Sequence, residues 1–256
     1  SSQQPLTVQA HAKLEGELAR PDASLNLQAS LTPDIPAAKA VTTKPTRAMQ
    51  AEVSAQITPW QAQPLTQGNA QWQALNLGAL WPNAPQTELA GQASVTPSGA
   101  NWRALVNTSN SLPGPWDLGR LPVNTLKADV QYAQGQWLIQ SLNARGAGGS
   151  VSGKGSFRDG QWQGQAMLSG INPAALDSRL GAGTVEGELA AAQERNGISF
   201  NAQLRGTQAS PKSPQSPKLA GKALDLGQLN LKVKGAWAAT QLKVTEFNLE
   251  AVDAQV

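Results

Sequence analysis

The chain reads as an all-β protein, one extended antiparallel sheet of successive hairpins with an apolar face and a polar face. Three observations predict this. Apolar and polar residues alternate singly from one end of the 256 residues to the other, turn dipeptides separate the alternating runs at hairpin spacing, and signals for helices longer than one turn are nearly absent.

The alternation comes first. Leu25, Leu27, Ala29 and Leu31 are interleaved with Asn26, Gln28 and Ser30, and Val53, Ala55 and Ile57 follow the same rule. So do Leu89, Gly91, Ala93 and Val95, then Leu126, Ala128, Val130 and Tyr132 between Lys127, Asp129 and Gln131. Trp162, Gly164, Ala166 and Leu168 alternate with glutamines and a methionine, Ile198, Phe200, Ala202 and Leu204 with Ser199, Asn201 and Gln203, and Leu229, Leu231 and Val233 close the series. Successive side chains of a strand point to opposite faces, so each run has one greasy and one wet side.

The turns come second. Asp159-Gly160 and Asn196-Gly197 each separate two such runs and suit a type I′ turn, which needs φ > 0 at both central positions. Pro97-Ser98-Gly99 and Gln134-Gly135 read as slightly longer connections. Leu77-Gly78-Ala79-Leu80 and Asn172-Pro173-Ala174-Ala175-Leu176 each start one helical turn, the second with Asn as cap and Pro at the first helical position. Residues 1–256 form a single elongated segment interrupted by two proline-rich loops, Thr32 to Thr46 and Gln208 to Lys218. The second has a Ser-Pro-Lys-Ser-Pro-Gln-Ser-Pro core with nothing apolar to bury and is expected to be disordered.

Repeats argue for modular growth. Leu14-Glu15-Gly16-Glu17-Leu18-Ala19 recurs almost letter for letter as Val185-Glu186-Gly187-Glu188-Leu189-Ala190, and Leu89-Ala90-Gly91 is a looser copy. A turn leading into tryptophan recurs at Gly135-Gln136-Trp137, Gly160-Gln161-Trp162 and Gly235-Ala236-Trp237. Spacing between copies is uneven, which speaks against a strict solenoid or propeller.

Composition excludes several function classes. Charged residues are 14% where roughly 25% is usual, so amides and hydroxyls keep the polar face wet. A net charge of +3 spread over single Lys and Arg residues gives no nucleic-acid footprint. There is no cysteine, hence no disulfide, thiolate nucleophile or Cys-bound metal. The single histidine, His11, falls on the polar side of its run. Glu15/Glu17 and Glu186/Glu188 sit two apart beside glycine and read as solvated charges rather than a catalytic carboxylate pair. Gly146 to Gly155 lacks the lysine placement of a phosphate loop. No enzyme activity, catalytic residue, metal or cofactor is expected. No apolar run approaches the ~18 residues of a membrane helix, so the segment reads as soluble. It opens inside a polar stretch and ends just after a strand-like pattern, as an internal piece of a longer chain would.

Tryptophan is over-represented, eight against one tyrosine and three phenylalanines. The plainer reading is that each caps the apolar strip beside its turn; the other is an anchor at a lipid interface.

The [Leu/Val]-x-Gly motifs at Leu14 to Gly16, Leu89 to Gly91 and Val185 to Gly187 point further. So do the strand Leu138 to Ala144 leading into Gly146 to Gly155, and Ile171-Asn172-Pro173-Ala174-Ala175-Leu176 before the next glycine strand. In this order they resemble the AsmA-like family of bacterial envelope proteins, and within it the TamB-type translocation and assembly module branch, over residues 70 to 256 chiefly. The resemblance implies a long sheet rolled into an open U-shaped, taco-like groove with an apolar interior. It also implies an inner-membrane anchor elsewhere in the protein, a course through the periplasm, and phospholipid carried toward the outer membrane. An outer-membrane barrel partner in surface-protein assembly, including autotransporters, would act through a part not present here.

On that reading the groove lining comprises Leu25, Leu27, Val53, Ile57, Leu89, Val95, Leu126, Val130, Trp162, Leu168, Ile198, Phe200, Leu204, Leu231 and Val233. The partners are phospholipid acyl chains and no nucleic acid. A two-chain lipid in water faces on the order of 25 kcal/mol at roughly 0.8 kcal/mol per CH₂, which a continuous apolar strip removes. About fifteen strands at ~4.8 Å would carry such a strip for roughly 70 Å. The rival class is a secreted or cell-surface adhesive β-protein, autotransporter-like, whose apolar face packs into a dry core. A transmembrane barrel would need girdles and ~10-residue strands that the pattern does not make clear.

Overall fold

The computed structural model describes residues 7–20, 22–34, 48–61, 64–98, 100–194, 197–208, 218–219, 222–223, 228–238 and 241–252. Its strands are β1 (Thr7–Gly16), β2 (Leu25–Asp34), β3 (Gln50–Ile57), β4 (Leu65–Leu75), β5 (Leu89–Ser98), β6 (Asn101–Asn110), β7 (Thr125–Ala133) and β8 (Gln136–Gly146). There follow β9 (Gly149–Arg158), β10 (Gln161–Ile171), β11 (Gly183–Glu194), β12 (Gly197–Gln208), the short β13 (Lys218–Leu219) and β14 (Lys222–Ala223), β15 (Gln228–Ala238) and β16 (Gln241–Val252). Two single helical turns, α1 (Leu77–Leu80) and α2 (Pro173–Leu176), lie between β4 and β5 and between β10 and β11. Each is capped by the preceding asparagine, Asn76 on Gly78 N and Asn172 on Ala174 N.

Fourteen strands form one unclosed, curled antiparallel sheet in which each lies beside its sequence neighbour, save that β12 pairs with β15 while β13 and β14 pair with each other. The extended antiparallel sheet expected from the alternation is therefore present, and its curl is consistent with an open groove. Most of the second proline-rich segment and Asn196 lie outside the described residues, as does most of the first.

Because the order is sequential, every connection from an odd-numbered strand up to β11, and the one from β15, falls at one end of the strands. We call this end the hairpin rim. Beyond the longer β1–β2 and β3–β4 connections its turns are short: at Asp159-Gly160 both residues have positive φ, 50° and 78°, as a type I′ turn demands. Gln134-Gly135, expected as a longer connection, is the same two-residue turn, with φ of 50° and 77°. The opposite end, the loop rim, carries the longer connections 76–88, 111–124 and 172–182. It also holds one tight turn the sequence did not announce, Ala147-Gly148, again with both φ positive.

The repeated [Leu/Val]-x-Gly motif has a steric cause. A Cβ on Gly16, Gly91 or Gly187 would stand 2.2, 2.4 or 2.1 Å from the carbonyl oxygen of Ser24, Asn107 or Gln203 on the facing chain. Gly16 and Gly187 also have φ of +146° and +136°, where side-chain-bearing residues are strained. At two other places an aromatic ring covers a strand glycine from the next strand, Trp72 over Gly91 and Phe200 over Gly235.

Gly187→Ala is expected to lower stability by about 2–4 kcal/mol, because backbone must move to admit the methyl group. Gly164→Ala, whose added Cβ meets only Lys154 O at 3.7 Å, is expected to leave stability within about 1 kcal/mol of the parent. Urea midpoints of the two variants check the contrast.

Candidate functional site

Cross-strand partners share a face, so the registers show which side chains form each surface. One row crosses all fourteen strands: Ala12, Ala29, Val53, Ala70, Ala93, Val106, Ala128, Leu142, Gly153, Ala166, Leu189, Ala202, Val233 and Phe247. No polar side chain interrupts it. All fifteen lining residues read from the sequence fall on this same face, in this row or the parallel ones beside it. Thirteen interstrand steps of about 4.8 Å make the apolar face roughly 60 Å long.

Every one of those fifteen side chains is half-buried, neither sealed nor fully open. Among the described residues the buried apolar set is small, Ala23, Met49, Ala147, Ile171 and Ala202, and no side chain falls below 2% exposure. The face is thus covered only by its own neighbours within the sheet. Toward the last strand it opens further, with Leu242, Val244, Phe247 and Leu249 all exposed. One polar side chain on it is paired within the sheet: Thr108 Oγ1 accepts from the Trp72 indole N–H at 3.2 Å and donates to Ala90 O.

The sequence missed the contributions of β8 and β16 because a bulge breaks the alternation in each. In β8, Gln140 and Ser141 together face Asp129, so Trp137 and Ile139 are followed on the apolar face by Leu142 and Ala144, three positions on rather than two. In β16, Thr245 is the extra residue, and Val244 is followed by Phe247. An extra residue that keeps both flanks on one face is what a bulge does. Leu14, Trp102 and Phe157 also lie on the apolar face; period-two spacing was visible around each but too short or too glycine-rich to stand out.

The opposite face is polar, with Leu105, Leu138 and Met167 as exceptions. His11 lies there, opposite Ser30. Arg103 forms a two-pronged pair with Asp129, its Nε and Nη2 at 3.0 and 2.6 Å from the two carboxylate oxygens. These bonds lower the Asp129 pKa and raise that of Arg103. Glu246 receives Lys232 and Lys234, which hold its carboxyl below the usual range. All these pairs are solvent-exposed and contribute little to stability. A shallow trough of about 600 Å³ runs between the polar side chains over β8 to β16, among them Gln136, Lys154, Gln163 and Lys234.

The two rims differ in chemistry. At the loop rim polar groups are already satisfied by protein. Asn110, 6% exposed, accepts from Glu88 N and Leu112 N and donates to Leu121 O and Val123 O. Thr87 accepts from Leu77 N and donates to Leu75 O. Asp117 accepts from both the backbone N–H and the hydroxyl of Ser178, tying the β6–β7 loop to the β10–β11 loop. At the hairpin rim the apolar face of β6 to β10 ends instead in aromatic rings. Among the described residues no group of three or more His, Asp or Glu is placed to hold a metal, and no helix is long and apolar enough to cross a membrane.

No family model, no curated protein and no solved structure matches the chain at a significant level.

The carboxyls of the loop rim carry a pH prediction. Ser178 lowers the Asp117 pKa, and Arg179 takes that of Asp177 from 3.8 to about 2. A carboxyl whose folded pKa is depressed stabilises the fold above its unfolded pKa and loses that contribution as pH falls through the folded value. The Asp117–Ser178 link between the two loops is therefore expected to hold at neutral pH and to open only as pH falls below the ordinary carboxylate range. Hydrogen exchange at the Ser178 amide, accelerating in that window while the paired strand amides of β10 and β11 stay protected, checks this.

Proposed function

We propose that the apolar face is a conduit for the acyl chains of phospholipid. The observation that carries this reading is the fourteen-strand row without a polar side chain, on a face whose lining is half-buried rather than packed into a dry core. Exposed apolar surface of this extent is rare on soluble proteins unless something covers it. Acyl chains suit it because the fourteen-strand row offers no polar side chain along its length, only Ala, Gly, Val, Leu and Phe. Affinity is then near-uniform from strand to strand, and a lipid moves without crossing a deep well. The row replaces water around chains that would otherwise cost roughly 0.8 kcal/mol per exposed CH₂.

The floor is lowest at β9 and β10, where Gly153, Gly155, Gly164 and Ala166 pair with one another between Ile139 and Ala191. Small residues there leave space for a chain to lie against the backbone. The same reading places the segment in the periplasm of an inner-membrane-anchored protein that supports outer-membrane assembly, with no catalytic step. The adhesive-protein reading needs a sealed interior, and the sparse buried set favours the conduit over it.

Photo-crosslinking in cells tests the proposal. Crosslinkers at Val130 and Phe200, on the apolar face, are expected to capture phospholipid, and those at Lys127 and Gln203, on the polar face, are not. Equal capture on both faces, or none on either, would defeat the conduit. A filling substitution is an independent check: Gly164→Phe is expected to reduce co-purified phospholipid several-fold while the urea midpoint moves by less than about 1 kcal/mol equivalent.

A further inference from the structure

The hairpin rim carries a row of aromatic side chains that the conduit reading does not use. Trp102, Tyr132, Trp137, Phe157 and Trp162 are consecutive cross-strand partners on five adjacent strands, β6 to β10, all on the apolar face. Tyr132 and Trp137 are in ring contact, centroids 4.8 Å apart and tilted by 48°. Farther along the same rim Ile198 and Trp237 are partners. Ring contacts across strands stabilise a sheet by themselves, but two facts go beyond that role. Trp137 and Phe157 are each 46% exposed, so the rings project past the sheet rather than packing into it. The indole N–H groups of Trp102, Trp137 and Trp162 and the Tyr132 hydroxyl also make no hydrogen bond to protein among the described residues, whereas Trp60 and Trp72 do, to Leu18 O and Thr108 Oγ1.

A line of donors on apolar rings, at one edge of an apolar face, fits a boundary between hydrocarbon and polar oxygen. The other edge offers no such row: its buried amide and hydroxyls are consumed within the protein, as at Asn110 and Thr87, and its exposed indoles are not on strand ends. Trp81 and Trp116 on that side sit in connecting segments, outside the strand rows. Resting on the conduit reading, we propose that the aromatic row orients the carried phospholipid. Its phosphate and ester oxygens sit at the hairpin rim, accepting from the indole and phenol donors, and its acyl chains run along the strands toward the loop rim. The dimensions agree. Six residue steps from Trp162 to Leu168 span roughly 20 Å, and the acyl chains of one leaflet fill about 15 Å of a bilayer.

Two measurements test the orientation. Versions of the full chain that keep only Trp137 or only Trp116, the other tryptophans being changed to Phe, are loaded with phospholipid bearing a nitroxide on the headgroup or at the chain end. They are then freed of vesicles by gel filtration, so that quenching reports carried lipid and not a bilayer surface. Trp137 is expected to be quenched several-fold more by the headgroup label than by the chain-end label. Trp116, at the loop rim, is expected to show the reverse. Stronger chain-end quenching at Trp137, or equal quenching by both labels, overturns the orientation while leaving the conduit intact. No carried lipid in the unsubstituted chain overturns both. In case the single-tryptophan chains fold poorly, the lighter variant W102F/W137F/W162F keeps ring area and removes three donors. It is expected to retain phospholipid roughly tenfold less well, the equivalent of about one net hydrogen bond to a charged group, and to retain a long-chain alkane as the parent does. Equal loss of both probes, or of neither, overturns the donor role.

Discussion

The phase of the strand pleat, kept constant through thirteen successive pairings, is the constraint on which everything else in this structure depends. A slip of one residue between any two neighbours would turn all later strands over and end the apolar face at that point. Tight turns hold the phase where they occur, because a two-residue loop with both φ positive, as at Gln134-Gly135 and Asp159-Gly160, admits one register only. Where strand sequences fall out of step, bulges at Gln140–Ser141 and Thr245 absorb the extra residue and return the next apolar side chain to the same face.

Among the described residues the sheet is a single layer with no second layer to bury its apolar side, and the packing shows how the chain lives with that. Burial comes from neighbours within the plane: rings laid over strand glycines, Phe200 on Gly235 and Trp72 on Gly91, and rows of Leu and Val shielding one another. Stability then rests on the hydrogen-bonded ladder and on close backbone approach at Gly16, Gly91 and Gly187, where only hydrogen fits. The cost is an open surface. Its exposure increases at β16, the last strand of the sheet among the described residues, whose described side chains are almost all exposed.

The asymmetry between rims follows from the topology. From β5 to β10 the connections at the hairpin rim are too short to fold back, so the strand-end side chains of β6 to β10 stand at the boundary themselves, and they are aromatic. Connections at the loop rim are long enough to return over the sheet end, and they bring carbonyls and amides that Asn110, Thr87 and Asp117 must satisfy. One rim thus carries a continuous row of donors on adjacent strand ends, whereas the exposed indoles of the other, Trp81 and Trp116, sit singly in its connecting segments. That difference gives an otherwise uniform apolar face a direction.

The sequence by itself determined the strand class, the neighbour-to-neighbour pairing and fifteen residues of the apolar face, because period two and turn chemistry are local properties that need no distant partner. It also marked both helical turns, the second through its Asn172 cap. Its silence at Trp137, Ile139, Leu142 and Phe247 has a local cause too, since a bulge hides alternation from any reading at fixed period. Only the tertiary structure decided that the phase survives across every strand, that the face remains half-covered without a sealed core, and that five aromatic residues scattered between positions 102 and 162 stand in one row. Those properties are set by register, and register is a relation between strands that no single run of residues contains.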